Sequence, residues 1–165
     1  GGSASSRLFQ EIRENRGMAY SVYSFASQYT DTGLVGFYVG TREENLVECL
    51  EIANAEIADI AGGHLRANEL ERAKENLKGR IVLSMEATAN RMSRLGKSLI
   101  TDSELLDLDR ILAEIEAVDQ SAVAQLAEVI LRPEGLSVAA IGAIEEPVLE
   151  ALAPVCPGLV ERAAA

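Results

Sequence analysis

A strand-type run from Met18 to Tyr29 and a second from Leu34 to Val39, joined through Asp31-Thr32-Gly33, limit the folds open to this chain more than any other feature. Both runs consist of β-branched, aromatic and small residues, and the joining residues are turn formers, so the segment reads as a hairpin. Helical spacing lies on either side of it. Ahead of it, Ser5-Ser6 supply helix-capping hydroxyls, Leu8, Phe9 and Ile12 form an apolar stripe, and Arg16-Gly17 supply the cation and glycine that end a helix. Behind it, Thr41 and Glu44 have the spacing of a capping box, and Leu46, Leu50, Ala53, Ile57 and Ile60 recur at helical intervals up to Gly62-Gly63.

From about Asn68 a longer helical region carries Leu70, Ala73, Leu77 and Ile81 on one face and continues through Met85, Thr88, Met92 and Leu95, with Gly79 and Gly96 as its weak points. Thr101-Asp102-Ser103 breaks it. Leu105, Leu108, Ile111, Leu112, Ile115 and Val118 then predict a helix or helix pair, and Asp119-Gln120-Ser121 starts another through Val123, Leu126, Ala127 and Ile130. After a turn at Arg132-Pro133-Glu134-Gly135, the run from Leu136 to Gly142 is apolar enough for a buried third strand. This order predicts an α+β fold, an antiparallel or mixed sheet with helices packed on one face.

At 165 residues, 48% hydrophobic and 25% charged, the chain fits a single globular domain spanning residues 1–165. Its formal net charge of −11 argues against a nucleic-acid or anionic-membrane surface and would favour basic peptide segments. Cys49 and Cys156 lie far apart without C-x-x-C spacing, which suits a reducing, cytosol-like compartment. The segment has no basic-then-apolar leader and no apolar run long enough to span a bilayer, so neither secretion nor membrane insertion is expected of it.

The most promising chemistry flanks the helix-ending glycine. Arg13 and Tyr20, seven positions apart, set a guanidinium and a phenol on either side of Gly17. A bound peptide offers backbone carbonyls that both groups can bond, and a phenol can also stabilise the oxyanion of a tetrahedral intermediate. The bland alternative is an arginine that complements a helix C-terminus and a tyrosine that packs on a sheet. The surrounding sequence favours the first: S-S-R-L-F-Q-E-I-R-E-N-R-G-M-A-Y-S-V-Y, residues 5–23, resembles the signature of the second half of pitrilysin-type zinc peptidases, the family of the mitochondrial processing peptidase and its bacterial relatives.

In that family an arginine and a tyrosine at this spacing reach across a clamshell and hold the substrate backbone, so the resemblance gives Arg13 and Tyr20 a substrate-binding role. The family's zinc sits on an inverted H-x-x-E-H helix, whereas this chain has one histidine, His64, and no such motif. The resemblance therefore implies a partial half-domain of the clamshell: the C-terminal, substrate-binding half of a zinc metalloendopeptidase, truncated from a larger peptidase. Such a piece carries no catalytic residue or metal ligand of its own and should be inactive alone. Zinc would be held by an N-terminal catalytic half, in the same chain or in a partner subunit.

The family also places a strand and helix ahead of Gly1, and a glycine-rich loop where Gly1-Gly2 stand. An exposed sheet edge and apolar patch are thus expected, and with them a homo-oligomer. The expected partners are a peptide substrate and the catalytic half, with no nucleic acid and no membrane, in a bacterial cytoplasm. Two other readings stay open: a non-catalytic structural or regulatory subunit of the same family, and an interaction module that binds extended peptides by strand addition.

The remaining reactive residues read as structural. His64 follows Gly62-Gly63 in an apparent loop with no second ligand nearby. Glu43, Glu44 and Glu48 suit a helix start favoured by the macrodipole, and Cys49, beside an apolar stripe, suits a small buried hydrophobe. Gly96-Lys97-Ser98 lacks the upstream glycine of a phosphate loop and falls within a helical pattern.

Overall fold

The computed structural model describes residues 3–132, 135–142 and 146–153. Backbone packing groups the chain into two compact units, one formed by Gly1–His64 with Ala124–Ala165 and the other by Leu65–Val123. The fold is mixed α+β, with a two-stranded antiparallel sheet among the described residues.

The first unit opens with a helical segment that widens into a π-helical turn, Phe9–Glu14. The widening is visible in its bonds: Gln10 N–H donates to the Ser6 carbonyl four residues back, while Asn15 N–H donates to the Gln10 carbonyl five residues back. No side chain caps its start, in contrast to the role expected of Ser5 and Ser6, and the Ser6 hydroxyl is buried without a partner among the described residues. Its end is as the sequence predicts. Gly17 takes φ +63°, open to glycine without a Cβ penalty, and lets Gly17 and Met18 N–H groups turn back onto the carbonyls of Arg13 and Ile12.

The hairpin follows, with β1 at Ala19–Gln28 and β2 at Gly33–Thr41, in register from Val22 opposite Val39 to Gln28 opposite Gly33. Alternation along the strands sends Val22, Phe37 and Val39 to one face. There they meet Leu8, Ile12 and Met18 from the opening segment and Cys49, Ile52 and Ala53 from helix α1, Leu46–Ala61. This is the unit's core. The opposite face carries Tyr23, Phe25 and Tyr38, all exposed, with the Tyr23 and Tyr38 rings stacked 5.2 Å apart.

Thr41 does not act in a capping box. Its hydroxyl donates to the Met18 carbonyl at 2.7 Å, and Glu44 pairs instead with Arg42 at 3.0 Å across a short 3-10 turn, Glu43–Asn45. Two residues of the first strand stand against one of the second beside Thr41, and the Met18 carbonyl left near that irregularity takes the hydroxyl. Helix α1 ends at Gly62 and Gly63, the latter at φ +77°.

The second unit contains α2, Glu69–Glu86, α3, Thr88–Ile100, and α4, Leu108–Ala117. The long helical region breaks at Ala87, where φ −80° and ψ 120° leave helical space, while Gly79 and Gly96 lie inside α2 and α3. Asp107 caps α4 through its carboxylate, accepting from Arg110 N–H at 2.7 Å. Lys74 is buried and donates to the Glu116 carbonyl at 2.9 Å; Lys78 bonds the Glu75 and Glu116 carboxylates, a pairing that raises the Lys78 pKa and lowers that of Glu116.

Helix α5, Gln120–Ile130, and α6, Glu146–Leu152, complete the described elements, and α6 packs on α1. The third strand predicted over 136–142 is not formed: this run is irregular. A strand exists through its ladder, and β1 and β2 are paired with each other alone among the described residues. The expected turn residues Pro133 and Glu134, and Cys156, lie outside the described residues.

Candidate functional site

The site is built where the opening helical segment hands over to β1. Three local features set it: the π-helical turn that carries Arg13, the left-handed Gly17, and a bulge at the start of β1. Ala19 pairs with Thr41 and Ser21 with Gly40, so Tyr20 is the extra residue on its strand. A bulge of this kind re-aims a side chain that strict alternation would otherwise fix, and both bulges and π-turns recur at functional positions. Tyr20 accordingly stands out into solvent, 83% exposed.

The two residues singled out by their spacing are brought together. The Arg13 Cζ lies over the Tyr20 ring, 4.6 Å from its centroid, and Arg13 Nη1 donates to the Tyr20 carbonyl at 3.1 Å. The guanidinium also lies 4.6 Å from the centroid of the Phe9 ring, and Nε sits 3.6 Å from the Glu14 carboxylate. Among the described residues, Arg13 Nη2 and the Tyr20 hydroxyl have no hydrogen-bond partner. A guanidinium edge and a phenol with donors to spare therefore stand side by side at the surface, which suits the carbonyls of an extended chain.

Phe9 is the residue that sequence reasoning left in the core stripe. The signal was present, since Phe9 and Arg13 are four positions apart on a helical segment and so share a face. Arg7 was also missed. It is 5% exposed, pairs with Glu56 at 3.1 Å and Asp59 at 2.6 Å, and donates to the His64 carbonyl at 2.6 Å, tying the opening segment to the end of α1.

His64 is exposed, with Nδ1 3.2 Å from the Asp59 carboxylate. Among the described residues no three His, Cys, Asp or Glu side chains are grouped to hold a metal. Cys49 is 1% exposed, its sulfur near Met18 Sδ and the Thr41 hydroxyl. The Gly96-Lys97-Ser98 run is helical, as its periodicity predicts. No helix among the described residues is long and apolar enough to cross a membrane.

Comparison with known proteins points to one family. Residues 1–77, which contain the whole site and the hairpin, match the family model described as the Peptidase M16 inactive domain. A protein of Bacillus subtilis named an uncharacterized zinc protease, YmxG, is 42% identical over 127 residues, covering 77% of this chain and 31% of its own length. An uncharacterized zinc protease of Streptomyces coelicolor is 42% identical over 139 residues, 84% of this chain and 30% of its own. Among solved structures, a conserved protein of Enterococcus faecalis superposes with a TM-score of 0.67 at 25% identity, covering 78% of this chain and 30% of that one. The chain thus spans about a third of the length of these relatives.

Proposed function

The chain belongs to the pitrilysin-type peptidase family, in its inactive C-terminal half, and on that footing we propose that it is the substrate-binding half of a zinc-dependent endopeptidase. In this reading Arg13 and Tyr20 hold the backbone of a peptide, while zinc and a general base come from a catalytic half in the same polypeptide or in a partner subunit. The carrying observation is the pairing of a part-exposed Arg13 with an exposed Tyr20, with Arg13 Nη2 and the Tyr20 hydroxyl unspent among the described residues. Arg13 would donate to a substrate carbonyl, and Tyr20 to a second carbonyl or to the developing oxyanion.

A charge-assisted hydrogen bond contributes about 1.5–3 kcal/mol, so with the catalytic half present Arg13→Ala should lower kcat/KM by about tenfold to a hundredfold. Tyr20→Phe keeps the ring under the guanidinium and removes only the hydroxyl; a similar or smaller loss is expected. Wild-type peptide cleavage by both variants would remove the assigned roles. The segment assayed alone should not hydrolyse peptides. A bacterial cytoplasmic location, a domain that is one piece of a larger peptidase, and self-association of the isolated chain belong to the same reading.

A second reading has one observation in its favour. β1 and β2 each have one neighbour among the described residues, so each presents an edge to which an extended peptide could add as a strand. Peptide binding that survives loss of both Arg13 and Tyr20 would favour that interaction module, or a non-catalytic subunit, over the clamp.

A further inference from the structure

We propose that Phe9 is a positioning residue for Arg13: its ring fixes the guanidinium so that the unspent donors face a bound peptide. The inference rests on the clamp reading above and adds to it the group that makes the clamp stiff. Arg13 Cζ lies over two rings at the same distance, 4.6 Å from each centroid, yet the two rings are held very differently. Tyr20 is 83% exposed on a bulge, and little holds it. Phe9 is partly buried and packs on the core cluster that contains Leu8, Ile12 and Met18. Of the two, only Phe9 can pass the rigidity of the core to the arginine.

A long arginine side chain loses rotamer freedom when it binds, and a group that orders it beforehand lowers that cost. The guanidinium is suited to such ordering because it stacks on an aromatic face while its edge donors stay available. The Arg13 Nη1 bond to the Tyr20 carbonyl, at 3.1 Å, sets the rotation of the plane on that support. Phe9, Arg13 and Tyr20 form one layered unit in which the middle member is the donor. A purely packing Phe9 would be replaced by leucine without consequence for Arg13.

The test uses the protein with its catalytic half, in three variants: Phe9→Leu, Phe9→Tyr and Arg13→Ala. Steady-state peptide cleavage and the side-chain NMR signals of Arg13, which ring currents shift, are read together with the melting temperature. Phe9→Leu should raise KM by about two- to fivefold with kcat unchanged, the factor that an exposed cation–π contact supplies. It should also move the Arg13 side-chain signals downfield, whereas Phe9→Tyr, which keeps an aromatic face, should leave both KM and those signals close to wild type. Equal KM values for the leucine and tyrosine variants, or Arg13 signals unmoved by Phe9→Leu, would overturn the proposal and leave Phe9 a packing residue. Arg13→Ala with wild-type kcat/KM would instead defeat the clamp reading itself, and this inference with it. A loss in Arg13→Ala without one in Phe9→Leu defeats the positioning role alone.

Discussion

Of the three arginines in the motif, Arg7 and Arg13 have opposite environments, and stability should tell them apart. Arg7 is buried against Glu56 and Asp59 and bonds the His64 carbonyl, so its removal takes a cation from two carboxylates and a donor from a carbonyl in a part-buried site. Breaking a buried pair by deleting one partner costs about 3–5 kcal/mol; because Asp59 is 42% exposed and can rehydrate, about 3 kcal/mol is expected for Arg7→Met in chemical denaturation. Arg13→Ala, at the surface, should change stability by less than about 1 kcal/mol. Equal losses in the two variants would contradict this division. Cys49 offers a pH test. Burial raises its thiol above the usual 9.0, outweighing the Thr41 hydroxyl that lowers it, with Glu48 adding a smaller rise. Folded Cys49 therefore keeps its proton where the unfolded chain releases it. Its contribution is complete below pH 9.0 and is lost as pH rises through the raised folded value. Thermal melts from neutral pH to about 10 should fall more steeply for the wild type than for Cys49→Ala, and parallel curves would refute the assignment.

At the scale of single elements, glycines separate what the sequence specifies locally from what tertiary contacts decide. Gly17 holds φ +63° with no atom near an added Cβ, so Gly17→Ala meets backbone strain alone, worth about 1–2 kcal/mol. Gly79 sits in α2, also with open space around it but at helical φ, and Gly79→Ala should add about 1 kcal/mol of stability. Opposite shifts in melting temperature are expected, and a destabilising Gly79→Ala would mean that a neighbour packs against α2 at Gly79. The hairpin, the Gly17 stop and the end of α1 were legible because turn residues and alternation act over a few positions. So were Arg13 and Tyr20 as a pair, by their embedding motif. The bulge at Tyr20 was not, because it is defined only against the register of β2. Nor was the loss of the Thr41 cap, since a carbonyl distant in sequence, that of Met18, outcompetes the helix start for the hydroxyl. The run 136–142 has strand composition but no ladder, which composition cannot reveal.

For the whole molecule, the decisive contest is between an apolar hairpin and an acidic surface. From Met18 to Thr41 the only charged residue is Asp31, and on the outer face Tyr23, Phe25, Leu34 and Tyr38 are all exposed. Gly36 and Gly40 carry no side chain there: the Phe25 ring lies where a Gly36 Cβ would stand, and the Tyr38 ring crowds the corresponding place at Gly40. A charge-poor, aromatic sheet face whose strands have no further neighbour among the described residues favours association with a second copy. The net charge of −11 opposes it, and that opposition is screened over about 8 Å at physiological ionic strength. Association of the isolated chain should therefore strengthen with added salt, the reverse of what contacts between opposite charges would show. Sedimentation equilibrium should give an average mass above 17.7 kDa at high concentration, rising further in salt. Burial of one aromatic side chain is worth about 1.5–3 kcal/mol, so Phe25→Lys or Tyr38→Lys should weaken the association by about tenfold or more. A mass fixed at 17.7 kDa in all conditions would show that repulsion wins, and association indifferent to both substitutions would move the contact away from the aromatic face.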